Sequence, residues 1–213
     1  VMMEIGVDGL VFASARLHEP MVEKLIAERF PVVLVNRKLK GKGFNHVVLD
    51  NVRGAYELTA HLIKLGYRKI ALIVGPSNLS TGIERLKGYQ KALKDYGIEP
   101  SSKYVYHGPF TKATGYEGAK ALLTMKERPE AIFGGNDCIA MGVIDAVEEL
   151  GLRIPHDVAV VGFDDTDFAS NRRIKLTTIG YKKYEMGSIG VQILIDHIER
   201  RGVDYVHLSL IHI

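Results

Sequence analysis

The 213-residue chain holds a single cysteine, Cys138. One thiol excludes an internal disulfide framework and any zinc site made of several thiolates, and it makes a reducing compartment the simpler reading. No apolar run approaches the roughly 20 residues that a membrane-crossing helix needs, and no basic stretch followed by an apolar block marks a secretory signal. Linkers, internal repeats and low-complexity tracts are absent. Charge of one sign is scarce too: 28 Lys and Arg against 25 Asp and Glu leave a net +3, too mild for the concentrated basic face of a nucleic-acid binder. Eight histidines are present, but no two sit at helical ligand spacing with a third ligand nearby, so neither a metal nor a cofactor is expected. Gly41 and Gly43 lack both the dinucleotide fingerprint and the Gly-Lys-Ser/Thr ending of a phosphate loop, and no serine sits in a Gly-x-Ser-x-Gly turn. Cys138 follows Asp137 at a helix start, and a buried, inert thiol is expected there.

What the sequence does have is alternation. Short, wholly apolar runs occur at Asp8–Ala13, Pro31–Val35, His46–Leu49, Lys69–Val74, Ala131–Phe133 and Asp157–Phe163. Apolar character without a polar face means both sides are covered, as in a parallel sheet flanked by helices. Between the runs lie helical patterns over Asn51–Leu65, Ile83–Tyr96, Asp137–Leu150 and Tyr184–Arg201, closed by Gly66, Gly97, Gly151 and Gly202. In the first of them Leu58, Leu62 and Leu65 recur at helical spacing behind Asn51, a residue suited to capping. The β-α order with right-handed crossovers gives a doubly wound α/β architecture, whose ligands bind beyond the carboxyl ends of the strands.

The ends read differently. Val1–Ile5 resembles the close of a helix, with too few strands after it to complete a sheet, so the chain is expected to be a fragment lacking its start. Ser209–Ile213 is an apolar tail without turn, cap or charge, expected to be dispensable. Lys38–Gly43, rich in lysine and glycine, suits an exposed loop.

Polar and aromatic residues gather just after the strands. Asn36 follows PVVLV, Thr81 and Arg85 follow KIALIVGP, Phe110 follows Tyr104–His107, Asn136 and Asp137 follow AIFGG, and Asp164 follows VAVVGF. Each has a plainer explanation: Asn136 or Asp137 as a helix cap, Asp164 bonded within its own turn, Arg85 on a solvated helix face. Their convergence points to a ligand pocket.

At these residues the sequence resembles the LacI/GalR (lactose/galactose repressor) family in its effector domain, which has the type I periplasmic-binding fold. The likeness runs through VDGLVF (7–12), PVVLVNR (31–37), DNVRGAYELTAHLIKLGYRKIALIVGP (50–76), RLKGYQKALKDYGI (85–98), GYEGAKALL (115–123), PEAIFGGNDCIAMGVIDAVEELGLRIPHDVAVVGFDD (129–165) and LTTI (176–179). It covers nearly the whole chain in the family's order and spacing. The resemblance implies two doubly wound parallel-sheet lobes with a ligand cleft between them, the first lobe incomplete: residues 1–49 and 181–202 in the first, 50–180 and 203–213 in the second. It also implies a helix-turn-helix DNA-binding domain outside this chain.

Carried over by position, the resemblance makes Asn36 an effector contact from the first lobe and Arg85 of RLKGY a two-donor fork. Thr81 matches a ligand threonine, and Phe110 an aromatic whose face suits a sugar ring. Asn136 and Asp164 would bond ligand hydroxyls, and Tyr181 would be a polar contact where the chain crosses back. Leu79 stands where purine-responsive members have an arginine, which disfavours a purine. Lys175 stands where a proline usually precedes LTTI, and SLIHI does not match the family's closing strand. The function implied is effector sensing, most simply of a carbohydrate, by a cytoplasmic, homodimeric regulator that acts on operator DNA through the domain not present here and performs no chemistry. A periplasmic sugar-binding protein of a transporter is the alternative.

Overall fold

The structure, a computed structural model, describes residues 6–41, 43–199 and the strand 207–210. The readings at Val1–Ile5 and Gly202 lie outside the described residues. The element order is β1 (Leu10–Phe12), α1 (Pro20–Ala27), β2 (Val32–Val35), β3 (Asn45–Leu49), α2 (Asn51–Lys64), β4 (Ile70–Val74), α3 (Ser80–Asp95), β5 (Val105–His107), α4 (Lys112–Leu123), β6 (Ala131–Gly134), α5 (Asp137–Glu149), β7 (Ala159–Val161), α6 (Lys183–Ile198) and β8 (His207–Leu210). The strands form two four-stranded sheets, β1-β2-β3-β8 and β5-β4-β6-β7, with every pairing parallel. This is the α/β class the apolar runs require.

The chain divides into two compact units. Unit 1 comprises the described residues up to Asp50, Asn78–Thr81, and the described chain from Lys182 onward through β8; unit 2 comprises Asn51–Ser77 and Gly82–Tyr181. The polypeptide therefore passes between them at Asp50/Asn51, around Asn78–Thr81, and at Tyr181/Lys182. In unit 1, Val22, Leu25 and Ile26 of α1 join Leu10, Phe12, Val32, Leu34, Leu39 and Phe44 in one apolar cluster. Helix α6 packs on β2 and β3. It comes close because Gly190 faces Val35, where a Cβ would stand 2.7 Å from the valine Cγ2.

Unit 2 has its own core. All of β4 is buried, and with β6, α4 and α5 it surrounds a cluster that includes Ile73, Leu122, Ile132, Ile139 and Val143. Helices α4 and α5 touch backbone to backbone: a Cβ on Gly115 would lie 1.9 Å from the Ile139 carbonyl oxygen, and one on Gly142 1.9 Å from that of Lys112. Tyr89 ties α3 to the sheet by donating to the Ile70 carbonyl at 2.7 Å.

Helix closure follows the glycine pattern where it can be seen. Gly66, Gly97 and Gly151 all have positive φ, and in each case the next residue's amide reaches back five residues, Tyr67 to Leu62, Ile98 to Leu93 and Leu152 to Val147. These are Schellman closures. Helices α1 and α4 carry no such mark, since α1 ends at Arg29 with φ 60 and α4 at Thr124 in a right-handed turn.

Several expectations are corrected. Leu58 and Leu62 of α2 are buried, but Leu65, just past the helix, is 62% exposed. Of the stretch expected as an exposed loop, Lys38–Lys40 is anchored, with Leu39 buried, the Lys38 amide donating to Ser80 Oγ and the Lys40 amide to the Leu17 carbonyl. β8, which falls in the 203–213 segment assigned to the second lobe, pairs instead with β3 of unit 1, Ser209 opposite Val48 and Leu210 opposite Leu49. The exposed edge of β3 accepts a partner through backbone groups, which no side-chain motif announces. Residues 211–213 of the tail lie outside the described residues. Lys175 adopts φ 47, which a proline ring locked near −65° forbids, so the turn before LTTI takes a different path from the proline pattern.

Candidate functional site

The carboxyl ends of β4, β6 and β7 run into glycine-containing turns at Gly75, Gly135 and Gly162. Two of these glycines make room for site residues. A Cβ on Gly75 would fall 2.1 Å from Phe110 Cζ, and one on Gly162 2.3 Å from Asp137 Oδ1.

Arg85, on α3, lies beneath these turns and is 2% exposed. Its Nε donates to Asn51 Oδ1 at 3.0 Å, one terminal nitrogen to the Gly135 carbonyl at 2.6 Å, and the other to Asp164 Oδ1 at 2.9 Å. The guanidinium carbon sits 3.8 Å over the Phe163 ring and 5.7 Å from the Phe110 centroid, and Phe163 in turn stacks on Phe133. A planar fork with an apolar face suits this position; the point charge of a lysine does not. The guanidinium is thus bound on three sides to protein groups and holds Asp164 and the β6 turn in place. Asn51, read as a cap, accepts from Arg85 Nε at Oδ1 and donates from Nδ2 to Glu84.

Asp164 is the accessible member of the pair, its side chain 23% exposed against 3% for Arg85. Its backbone has φ 109 and that of Asp165 φ 47, in the region that L-residues rarely adopt. Such strain persists only where surrounding bonds fix it. Here the Gly162 and Asp164 amides donate to the Thr177 and Ile179 carbonyls, and the Asp165 amide to Thr178 Oγ1.

Asn136 caps α5, its Oδ1 accepting from the Ile139 amide at 2.9 Å, so the plainer reading of its oxygen holds. Asp137 is fully buried. Burial pushes its carboxyl up from the ordinary range, opposed by hydrogen bonds from Thr178 and Thr166. Cys138 is exposed, not buried, and its thiol is pushed up by desolvation and by the carboxylates of Asp164 and Asp137. Tyr181 is half-buried at the end of unit 2.

The remaining predicted residues belong to unit 1. Asn36 follows β2 with φ 62, a conformation asparagine tolerates, and its Oδ1 is buried without a hydrogen-bond partner. Thr81 is 1% exposed and its Oγ1 likewise has none. Buried polar atoms are nearly always paired, and these two oxygens have no partner among the described residues. Among the described residues no cluster of three or more His, Cys, Asp and Glu could hold a metal, and no helix is long and apolar enough to cross a membrane.

Sequence reasoning brought Arg85, Asp164 and Phe110 to one place, and the structure does the same. It missed Asn51 and Phe163 as members of the network, since an asparagine at a helix start looks like a cap and a phenylalanine closing an apolar run looks like core.

Comparison with known proteins bears on this arrangement. The periplasmic binding protein-like domain family matches residues 59–211. The chain is 35% identical over 200 residues to the HTH-type transcriptional repressor PurR of Edwardsiella ictaluri, covering 93% of this chain and 59% of that protein. The transcriptional regulator CelR, solved as a cellobiose complex, superposes with a TM-score of 0.92 at 31% identity over 96% of this chain and 63% of that one. A LacI transcriptional regulator from a Rhodococcus species superposes at 0.88 and 30% identity, over 98% and 76%. The chain spans about three fifths of the length of the curated relatives it matches.

Proposed function

Because the chain belongs to the periplasmic binding protein-like domain family, in the form carried by LacI/GalR transcriptional regulators, we propose that it is the effector-sensing part of such a regulator. Units 1 and 2 correspond in this reading to the two effector lobes. The protein works in the cytoplasm as a homodimer, reaches operator DNA through a domain outside these residues, and carries out no chemistry. Its work is a difference in affinity: an effector that binds one conformation better than another biases the attached DNA-binding domains.

The observation that carries this reading is Asp164, a strained and partly exposed carboxylate locked from behind by a buried arginine. An acceptor so fixed is suited to ligand hydroxyls, beside the Phe110 ring and the Asn136 amide. Asn36 Oδ1 and Thr81 Oγ1 are the effector-seeking atoms of unit 1, and Tyr181 is a further polar contact. A carbohydrate fits best. Donors and acceptors around an aromatic face match a ring of hydroxyls, and CelR, similar in structure, was solved with cellobiose. Leu79 supports the same class over a purine, because an apolar side chain cannot donate to a heterocycle.

Calorimetric titration of cellobiose, a panel of monosaccharides and a panel of purines into the complete regulator tests this. Asp164→Ala should cost about 2 to 4 kcal/mol in sugar affinity, a thirtyfold to thousandfold loss. Equal affinity for wild type and variant would overturn the site, and tight purine binding without a sugar response would overturn the ligand class.

A further inference from the structure

One buried group is left without an assigned role. Asp137 is a fully buried carboxylate, and among the described residues no cation bonds it: Thr166 gives it a backbone amide and a hydroxyl, both at 2.8 Å to Oδ2, and Thr178 a hydroxyl at 2.6 Å to Oδ1. Its own amide donates to the Phe163 carbonyl at 2.8 Å. Burying a carboxylate is expensive, and the first turn of α5 offsets only part of that cost through the helix dipole. Holding two elements together for stability alone needs no charge.

The position of the bonds suggests what the charge does. Asp137 grips the Phe163–Thr166 turn at both ends, at the Phe163 carbonyl and the Thr166 amide, and the strained Asp164 lies between. Through Thr178 it also grips the segment that leads, three residues later, to Tyr181 and the passage into unit 1. Arg85 acts at the other passages. It rides on α3, which starts at Ser80 in the second passage, and it bonds Asn51, the first residue of unit 2 after the first. The Arg85 and Asp137 sets meet at one turn, and the segments they hold lead to the chain's passages at Asp50/Asn51, around Asn78–Thr81 and at Tyr181/Lys182.

We propose that Asp137 is a positioning residue that fixes the Asp164 turn for the effector and ties that turn to the third passage of the chain through Thr178. The proposal rests on the effector reading for its function, while its structural core stands on the bonds alone. A carboxylate suits the task because Oδ2 takes two donors and Oδ1 a third, whereas an asparagine offers one acceptor atom and places a donor against the others.

Hydrogen exchange on the purified protein separates positioning from mere support. In Asp137→Asn the amides of Asp164, Asp165 and Thr166 should exchange at least tenfold faster, while those of β4 and β6 keep wild-type rates. Thr178→Val, which leaves the Thr166 bonds in place, should loosen Asp165 and residues 177–179 but not Thr166, and it serves where the first variant fails to fold. Cellobiose titration at a temperature where all forms are fully folded should show at least a tenfold rise in Kd for Asp137→Asn, which lost stability alone does not produce. Uniform acceleration through unit 2, unchanged turn amides, or an unchanged Kd beside wild-type binding overturns the proposal. Should wild type bind no sugar, the effector reading fails by itself, and the exchange pattern still decides for or against Asp137.

Discussion

Units 1 and 2 share one construction, parallel strands with helices between them, yet they treat buried polar atoms in opposite ways. In unit 2 the guanidinium of Arg85 and the carboxylate of Asp137 are sunk in the protein with partners on every side described. In unit 1, Asn36 Oδ1 and Thr81 Oγ1 are buried with none. Unit 2 presses α4 on α5 through Gly115 and Gly142, while α6 of unit 1 leaves Tyr184, Val191 and Ile195 exposed. A preorganised surface needs its internal bonds complete before a ligand arrives. A surface that gains its missing bonds from the ligand has a reason to change when the ligand comes.

The contrast can be broken at its strongest point first. Gly142→Ala puts a Cβ 1.9 Å from a backbone oxygen that has nowhere to move, so denaturant unfolding should show unit 2 losing about 3 kcal/mol or more. Gly187→Ala on α6, where nothing lies within 4 Å, should instead gain about 0.5 to 1 kcal/mol from helix propensity. Equal losses at the two sites would erase the packing difference. Next in size, Arg85→Lys keeps the charge but can satisfy only part of a three-partner arrangement, and thermal unfolding should report a loss of about 2 kcal/mol.

Thr81→Val sharpens the polar comparison. Replacing an unpartnered buried hydroxyl with a methyl should stabilise the unliganded protein by about 1 kcal/mol while weakening the effector, a trade that no substitution in the paired network of unit 2 should reproduce. The smallest effect concerns acid. Arg153, through its side chain and its amide, holds the Asp157 carboxyl down at about 2. A depressed carboxylate contributes stability above its unfolded value near 4 and loses it as pH falls through about 2. Arg153→Ala should therefore flatten the stability profile of unit 2 between those values, as followed by circular dichroism.

Much of this was legible because the chemistry was local. Wholly apolar runs named the central strands, and left-handed glycines at 66, 97 and 151 named three helix ends. Helices α1 and α4 escaped that test, since Arg29 takes the left-handed turn without being glycine and Thr124 closes α4 with no such turn. At the site, topology was enough to gather Arg85, Phe110 and Asp164, because strand ends on one side of a parallel sheet converge whatever their side chains. What an arginine bonds once it arrives is a matter of depth. Arg85 is enclosed by protein partners, Cys138 reads as buried and proves exposed, and Asn51 reads as a cap and proves to bond across the fold. Residue type and spacing carry no record of depth, and none of β8, whose pairing runs through backbone atoms alone.

The pairing of β3 with β8 also sets an order of events. It joins residues as distant in sequence as His46 and His207, whereas unit 2 is nearly continuous from Asn51 to Tyr181. Contacts between remote residues form slowly, since the loop between them must close first. On the ribosome, unit 2 can therefore be complete before the last strand of unit 1 has been made. Until then β1, β2 and β3 wait without α6 and β8, with apolar faces and a strand edge uncovered. Unit 2 is thus the half completed first, and unit 1 must be kept from the wrong company until α6 and β8 have been made.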